Sequence, residues 1–254
     1  MGKSIINQQS QMVVKRNELI QKSRYSMPAQ QQRVLLFMIS KIKPHDEPQT
    51  MYEIEILEFC KVCGMEYNSG EMYKDIKNAL KAIRDASIWV KVPVSIGSKQ
   101  QKEILLSWLY KVELIGGTIK YSFHEDMFPY LFDLKEQYTQ YGIEYVVPMR
   151  SKYSIRLYEL LKSLQNIRKE ISFSLEELKV KLDAEKYDRF QDLRRYVIES
   201  AVNEINTYTD IKVKWFPIQE GRKNVGIAFS VWTTFGAETD RRREVRYERL
   251  GIKI

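Results

Sequence analysis

Two predicted helices carry the side chains best suited to contact a polyanion. In residues 72–86, a turn of about 100° per residue groups four apolar side chains on one face: Ile76, Ala79, Leu80 and Ile83. The polar side chains on and beside the opposite face are Lys74, Lys77, Asn78, Lys81 and Arg84. Because Lys and Arg neutralise phosphates and Asn or Arg can bond base edges, this face predicts contact with a DNA groove. The alternative is an ordinary solvated helix, since acidic residues share the segment.

The second predicted helix, residues 190–206, has a basic N-terminal end. Its candidate DNA contacts are Arg189, Arg194, Arg195, Tyr196 and Asn203, although helical periodicity turns Arg194 toward the core edge. Backbone NH groups and the helix dipole also favour phosphate at this end. Asn203 and Asn206 are equally placed to brace the turn that follows, and we favour that structural role.

A predicted hairpin follows this helix, with strands at residues 211–217 and 225–232. Gly221 marks its turn, where Arg222 and Lys223 form an exposed basic loop suited to phosphate contact. Any exposed turn can have this composition, so the signal is not specific. The charges of residues 238–254 nearly balance and predict a salt-bridged helix or a frayed tail.

Signals for catalysis, metals and cofactors are absent from the sequence. No Gly-rich phosphate loop ends in Gly, Lys and Ser or Thr. The two histidines, His45 and His124, are isolated, which argues against a metal-dependent nickase and a closed zinc site. We interpret the pair Cys60 and Cys63 as core residues. We therefore expect no enzymatic activity, no metal and no cofactor.

The composition favours a folded protein with a polyanionic partner. The chain of 254 residues has 41 Lys and Arg against 33 Asp and Glu, a formal net charge of +8. This length suits two ordinary domains. The longest apolar stretch, residues 34–39, is far too short to span a bilayer, and the N-terminus lacks the apolar core of a signal peptide. We therefore expect a cytoplasmic protein with no membrane partner.

The order of predicted elements in the first half is typical of a winged helix. The elements are a buried helix, a strand, a short helix and a long helix, at residues 28–42, 52–56, 58–62 and 72–86. Residues 88–94 and 104–113 form a predicted hairpin, which we interpret as the wing, and residues 118–123 form a third strand. In this fold the second helix of the pair enters a DNA groove.

The second half repeats this pattern. SRYS at residues 23–26 recurs as SKYS at 151–154, and the spacing of Leu-Glu and Lys-Val at 57–62 recurs at 175–180. Chance similarity is the alternative. We therefore predict an α+β chain with two tandem winged-helix domains, at residues 1–140 and 141–237, followed by a charged tail at 238–254. No Gly or Ser tract separates the domains, so we expect a close junction.

Over nearly its whole length, the sequence resembles the iteron-binding plasmid replication initiator (Rep) proteins. The most specific pieces are SKYSIRLYELL at residues 151–161 and the segment 189–207. In that second segment Arg189, Asp192, Leu193, Arg194, Arg195 and residues 203–206 are family-like. Gly221 with Arg222, Asp75, Ile76, Ala79, Leu80 and residues 137–140 also resemble the family pattern.

The resemblance implies a sequence-specific binder of double-stranded DNA without catalytic chemistry. Members of the family bind directly repeated sites (iterons) at a plasmid origin as monomers, promote melting of AT-rich duplex, and recruit the host initiator and replicative helicase. Homodimers in equilibrium with the monomer often repress the protein's own gene, and the first domain is the expected dimer interface. By analogy Arg189 and Arg195 contact bases or phosphates, while Tyr196 stands where relatives are often basic.

Two groove-reading helices on one chain would cover two successive major grooves, a site of roughly 20 bp. A transcriptional repressor built from the same domains, without an initiator role, remains the alternative. The number and arrangement of DNA sites distinguish the two.

Overall fold

The computed structural model describes residues 11–24, 26–63, 71–95, 98–165, 167 and 170–233, without the side chains of residues 62, 63, 71 and 72. Within these ranges no helix is both long and apolar enough to cross a bilayer. The first described elements are β1 (Met12–Arg16), α1 (Asn17–Lys22) and β2 (Ser23–Arg24). We call this segment, residues 12–24, the clasp. The sequence patterns did not predict it.

The helices of the first half begin with α2 (Ala29–Ile39), which follows Pro28. Every side chain from Val34 to Ile39 is buried, as the apolar run predicts for a central helix. β3 (Tyr52–Glu55) alternates buried and exposed residues and runs into α3 (Ile56–Cys63). α4 (Glu71–Asp85) is the long amphipathic helix that the sequence predicts.

Two hairpins follow α4 and belong to different sheets. β4 (Ser87–Pro93) and β5 (Gln101–Ser107) extend β2 into a sheet of order β2-β4-β5. β6 (Leu109–Ile115) and β7 (Thr118–Phe123) join β3 in a sheet of order β3-β7-β6. α5 (Phe128–Leu131) then leads to β8 (Tyr138–Gly142), which pairs antiparallel with β1. The clasp is therefore tied into two sheets of the first half.

The second half begins with α6 (Lys152–Leu164), β9 (Glu170–Ser174) and α7 (Leu175–Leu182). Ser174 caps α7, because its hydroxyl accepts a 3.1 Å hydrogen bond from the backbone NH of Glu177. A continuous helical segment comprises α8 (Phe190–Leu193), a π-helical turn (Arg194–Glu199) and α9 (Ser200–Tyr208). The long hairpin of β10 (Ile211–Glu220) and β11 (Lys223–Thr233) completes a sheet of order β10-β11-β9.

The two halves contain equivalent winged-helix modules, and their comparison corrects the predicted first wing. The first module consists of α2, β3, α3, α4, β6 and β7, and the second of α6, β9, α7, α8, α9, β10 and β11. In each, the strand before the helix pair joins the last strand of a hairpin, so the first wing is β6–β7. The prediction that residues 88–94 and 104–113 form the wing was wrong.

The error arose at Trp108, which separates β5 from β6. The run from residue 104 to 113 is continuously rich in strand-forming residues and has no turn signal, so it predicts a single strand. In the structure Trp108 is fully buried, and its backbone carbonyl accepts a 3.0 Å hydrogen bond from the backbone NH of His124. The chain changes sheets there, and β4–β5 is an additional hairpin.

α6 is shared between the two cores. All of its residues are buried except Lys152 and Lys162. It packs against α1, α2 and β8 on the side of the first half, and against α7 and α9 of its own module. One continuous hydrophobic cluster contains residues of both modules, among them Phe37 and Leu157. The predicted close junction is confirmed by these contacts.

Only part of the sequence repeat is structural. The Leu-Glu and Lys-Val spacing lies in α3 and α7, which occupy equivalent places in the two modules. The SRYS and SKYS segments do not correspond. Ser23 and Arg24 form β2, whereas Ser151 caps α6 by accepting a 3.2 Å hydrogen bond from the backbone NH of Tyr153. The similar four-residue segments SRYS and SKYS therefore adopt two different local structures.

Candidate nucleic-acid interface

The first recognition helix, α4, presents the predicted polar face to solvent. Ile76 and Ile83 are fully buried, and Ala79 and Leu80 are nearly so. The five candidate contacts, which are all exposed, are Lys74, Lys77, Asn78, Lys81 and Arg84. The helical phase predicted from periodicity is therefore confirmed, while contact with DNA stays a prediction.

Three of the four cations of α4 already contact neighbouring groups. Lys81 forms an ion pair with Asp85, and the Lys77 ammonium lies 4.9 Å from the ring centroid of Tyr73. The Arg84 Nε donates a 3.1 Å hydrogen bond to the backbone carbonyl of Tyr110. Exposed pairs of this kind are worth little, so phosphates can replace them at small cost.

The second recognition helix, residues 190–208, buries the predicted apolar face. Leu193, Val197, Ala201 and Ile205 are fully buried. Arg189 stands at the N-cap position with an extended backbone, φ −80° and ψ 133°, and its side chain is exposed. Arg195 is exposed six residues further on, beyond the first turn. Arg189 lies at the end of the helix where backbone NH groups and the dipole favour an anion.

Arg194 lies differently from the sequence prediction. Periodicity turns this side chain toward the core edge, but in the structure it is half exposed, and its Nε lies 3.2 Å from Glu199 Oε1. A π-helical turn, in which hydrogen bonds link residues five apart, begins at Arg194 and brings Arg194 and Glu199 onto one face, so the Arg194 side chain turns outward to meet Glu199. Val197 and Ile198 are both fully buried within this turn.

Aromatic rings hold the start of this helix against the second core. The rings of Tyr187 and Tyr196 stack with centroids 6.1 Å apart, and Tyr187 meets the ring of Tyr153 edge-on at 6.1 Å. Burial, reinforced by hydrogen bonding to Tyr187, raises the pKa of Tyr153. The Arg195 guanidinium carbon lies 5.5 Å from the Tyr196 centroid, so Tyr196 helps to orient Arg195. Tyr196 itself stays 51% exposed and accessible to a ligand.

The two asparagines of this helix have different roles. Asn206 braces the following turn, since its Nδ2 donates to the Val213 carbonyl at 2.9 Å and its Oδ1 accepts from the Val213 NH at 2.7 Å. Asn203 presents an exposed side chain instead, and only its backbone carbonyl accepts a 2.7 Å hydrogen bond, from the Thr207 hydroxyl. The structural role that we favoured for both fits Asn206, and Asn203 remains a candidate contact.

The second wing carries its cations at the tip. Gly221 adopts φ 61°, a left-handed backbone that glycine tolerates well, and Arg222 and Lys223 follow it with exposed side chains. A 3.0 Å hydrogen bond from Gln219 Nε2 to Asn224 Oδ1 closes the hairpin behind them. The predicted loop is therefore a tight turn that is closed by a side-chain hydrogen bond and carries two exposed basic side chains.

One cation near this wing was missed by the sequence analysis. Trp232 pairs in register with Lys212 on the outer face of the sheet and is 45% exposed. The Lys214 ammonium lies 6.0 Å from the Trp232 centroid on that face. Trp89 is also half exposed, so burial in a core does not account for these two tryptophans. Residues alternate between the two faces of a strand, so the burial of Val213 in β10 could have predicted that Lys214 lies on the outer face.

Metal binding finds no support in the part of the chain that the structure describes, where no three His, Cys, Asp or Glu side chains cluster. Cys60 is buried, and burial raises the pKa of its thiol. The side chain of Cys63 and the tail at 238–254 lie outside the described residues.

These elements define a tandem winged-helix protein with an exposed polar helix in each module. A family model described as the first winged-helix domain (WH1) of initiator replication proteins matches residues 12–162. A second model, described as the WH2 domain of initiator Rep proteins, matches residues 174–231. The chain therefore belongs to the initiator replication protein (Rep3) family, and the predicted family and fold are confirmed.

Known relatives agree with this placement. A replication initiation protein of Escherichia coli is 27% identical over 209 residues, which cover 80% of this chain and 64% of that protein. The chain therefore spans slightly less than two thirds of that relative.

Two solved structures share the fold. The Pi initiator protein in complex with iteron DNA has a TM-score of 0.71 at 20% identity, covering 89% of this chain and 98% of that one. Domains 2 and 3 of RctB have a TM-score of 0.53 at 12% identity, covering 83% and 85%.

Proposed function

We propose that this protein binds double-stranded DNA at specific sites and initiates replication of the plasmid that carries them. The observation that carries the proposal is the pair of exposed polar recognition helices, one in each module of a single tightly joined chain. The name of the E. coli relative and the iteron DNA bound to the Pi protein support the same function. The proposal includes no catalytic step, cofactor or metal.

In detail, we assign the major sequence-specific contacts to the second domain, residues 141–237. The proposed contacts there are Arg189, Arg194, Arg195, Tyr196, Asn203, Arg222 and Lys223. The first domain, residues 1–140, contributes Lys74, Lys77, Asn78, Lys81 and Arg84 and forms the dimer interface. Cations that contact phosphate position the protein, whereas base contacts by Arg or Asn specify the sequence.

The proposed biological cycle follows from binding at repeated sites. Monomers bind direct repeats at the origin, open the adjacent duplex and recruit the host initiator and replicative helicase in the cytoplasm. Dimers bind an inverted repeat and repress the gene of the protein. Two linked modules bind far more tightly than either alone, because the second contact is intramolecular.

A nuclease-protection footprint on the DNA flanking the coding sequence tests this function. We expect several evenly spaced protected segments of roughly 20 bp, since two modules read successive major grooves. Measurement at two salt concentrations separates phosphate contacts, whose contribution falls steeply with salt. Lys135→Ala is a matched control for loss of charge, because Lys135 is exposed and lies outside both proposed surfaces.

Two other footprinting results would contradict the proposed initiator function. A single protected inverted repeat over the promoter would replace the initiator with a repressor. Protection of no segment, or equal competition by unrelated duplex, would contradict site-specific binding altogether.

A further inference from the structure

The clasp connects the two halves of the molecule. Through β1 it pairs with β8, from Met12 opposite Gly142 to Arg16 opposite Tyr138. Through β2 it pairs with β4, where Ser23 lies opposite Val90. Between these strands α1 lies on α6, the first helix of the second module. One short segment is therefore part of the sheets of the first half and part of the packing of the second.

A buried ion pair seats the clasp on α6. The Lys15 ammonium pairs with Glu159 Oε1, and both side chains are almost completely buried, at 2% and 0% exposure. The Tyr141 hydroxyl donates to the same carboxylate oxygen, and Arg156 Nη1 lies 3.8 Å from Glu159 Oε2. A buried charge costs several kcal/mol unless it is paired. Lys15 can therefore leave Glu159 only if the clasp opens to water.

Further hydrogen bonds between the clasp and the second module fix the orientation of α1. Arg156 Nη2 lies 3.4 Å from the carbonyls of both Ile20 and Ser23, where it complements the C-terminal end of α1. The Lys181 ammonium donates to the Gln21 carbonyl at 2.7 Å, and Gln21 Nε2 donates to the Ser163 hydroxyl at 3.2 Å. These bonds tie α1 to both α6 and α7.

An exposed pair completes the contact. Arg24 forms an ion pair with Glu185, and just beyond the clasp the Ser26 hydroxyl donates to Asp183 at 2.6 Å. Beside these bonds the two halves enclose an open cleft of about 660 Å³, lined by Trp89 from β4 and Val180 from α7. The cleft leaves room for the halves to shift if the clasp is released.

Another contact between the halves, that of α2 with α6, is largely apolar. α2 packs on α6 through the shared hydrophobic cluster, with Arg33 Nη1 reaching the Val147 carbonyl at 3.2 Å. The hydrophobic effect that stabilises this contact is itself non-directional. The ion pairs and hydrogen bonds of the clasp supply the directional part.

We propose that the clasp, seated by Lys15 on Glu159, sets the relative orientation of the two recognition helices and thereby the spacing of DNA half-sites that the protein accepts. The inference rests on the proposed function for its DNA part. Lys15, Arg156 and Glu159 are positioning residues that are buried away from any DNA. They act by holding α4 and the second recognition helix in one arrangement.

The first test needs no DNA. Spin labels at Lys102→Cys in β5 and Glu170→Cys in β9, in a chain with Cys60 and Cys63 replaced by alanine, report the distance between the halves. We expect one narrow distance distribution for the parent chain and a broadened one for Glu159→Gln, because the uncompensated Lys15 draws the clasp into water. Lys22→Ala is the matched control, since Lys22 pairs only with Glu18 within α1 among the described residues.

A second variant covers the case in which Glu159→Gln fails to fold. The double variant Arg24→Ala, Ser26→Ala removes only exposed contacts to Glu185 and Asp183 and leaves the buried pair in place. We expect an intermediate broadening. Distributions identical to the parent in this variant, and in Glu159→Gln where it folds, would overturn the inference.

The second test uses the duplex identified by footprinting, with 2 bp inserted between the half-sites. For the parent chain the insertion rotates one half-site by about a fifth of a turn and should lower affinity at least about tenfold. For the loosened variants we expect weaker binding to the natural site and a further loss of less than about threefold. Unchanged spacing dependence would overturn the inference. A parent chain with a narrow distribution that protects no DNA would contradict the proposed function instead.

Discussion

The two wings share one strand order but differ in length and charge. The first wing has strands of seven and six residues and turns at Gly116 and Gly117 between Ile115 and Thr118. The second has strands of ten and eleven residues and carries Arg222 and Lys223 at its tip. A long basic wing can reach further along a duplex and neutralise phosphates, so we expect the second module to contribute more of the DNA affinity.

The recognition helices differ in the same direction. In α4, Lys81 and Arg84 are engaged with Asp85 and the Tyr110 carbonyl. In the second recognition helix Arg195 is oriented by Tyr196, whose other contacts are aromatic. An oriented guanidinium loses less freedom on binding a base than a lysine does. The first module instead has the additional hairpin β4–β5 and the clasp, and the clasp packs on α6 and α7 of the second module.

The largest expected effect is the difference in DNA binding between the variants Arg195→Ala and Lys81→Ala. Arg195→Ala should weaken binding to the footprinted site by about 1 to 3 kcal/mol and relax the preference at one base position. Lys81→Ala should weaken binding to all sequences alike, with a salt slope lower by about 1. Competition with sites changed at single base pairs measures both. Retention of full base discrimination by Arg195→Ala would remove it from the reading surface.

The wings should differ in salt dependence. Arg222→Ala with Lys223→Ala should lower the slope of log affinity against log salt by about 2, uniformly across sequences, because two phosphate contacts are lost. Lys120→Ala in the first wing is the matched variant, since Lys120 pairs with Glu53 at 2.6 Å and should change the slope little. Equal slopes of log affinity against log salt for the two variants would contradict the proposed difference between the wings.

The smallest effect concerns the contact between the halves at Asp183. Burial alone would raise the pKa of Asp183, but the Lys152 ammonium and the Ser26 hydroxyl hold it below its ordinary value. The ionised form therefore stabilises the fold above about pH 4, and this contribution is lost as pH falls through the lowered pKa. Asp183→Asn should cost less than about 1 kcal/mol at pH 7, because the pair is partly exposed.

Urea unfolding at pH 7 and pH 3 checks this expectation. The difference in unfolding free energy between the parent and Asp183→Asn should shrink at the lower pH. A difference that is independent of pH would assign the loss to the hydrogen bonds that Asp183 accepts from Lys152 and Ser26, and not to its charge.

Helix phases could be predicted because each recognition helix buries one face against a core. Ile76 and Leu193 lie inward as their periodicity indicates. The first wing could not be located, because a change of sheet at Trp108 leaves no mark in a continuous β-rich run. The clasp was missed for another reason. Its strand β1 pairs with a strand more than a hundred residues away, and Lys15 is a charged residue whose partner, Glu159, is also more than a hundred residues away.

The candidate DNA contacts followed from residue type and exposure, which the helical period supplies. The position of Arg194 did not follow, because a π turn breaks the period on which the prediction depends.

The π turn also has an evolutionary consequence. Six residues, Arg194–Glu199, hold one residue more than α-helical geometry needs to join α8 to α9. The wider turn absorbs that residue, because Leu193 before it and Ala201 after it are buried on the same face. Loss of a single codon there would therefore leave both buried faces in place, so related chains can differ in length by one residue at this point without a change in the core.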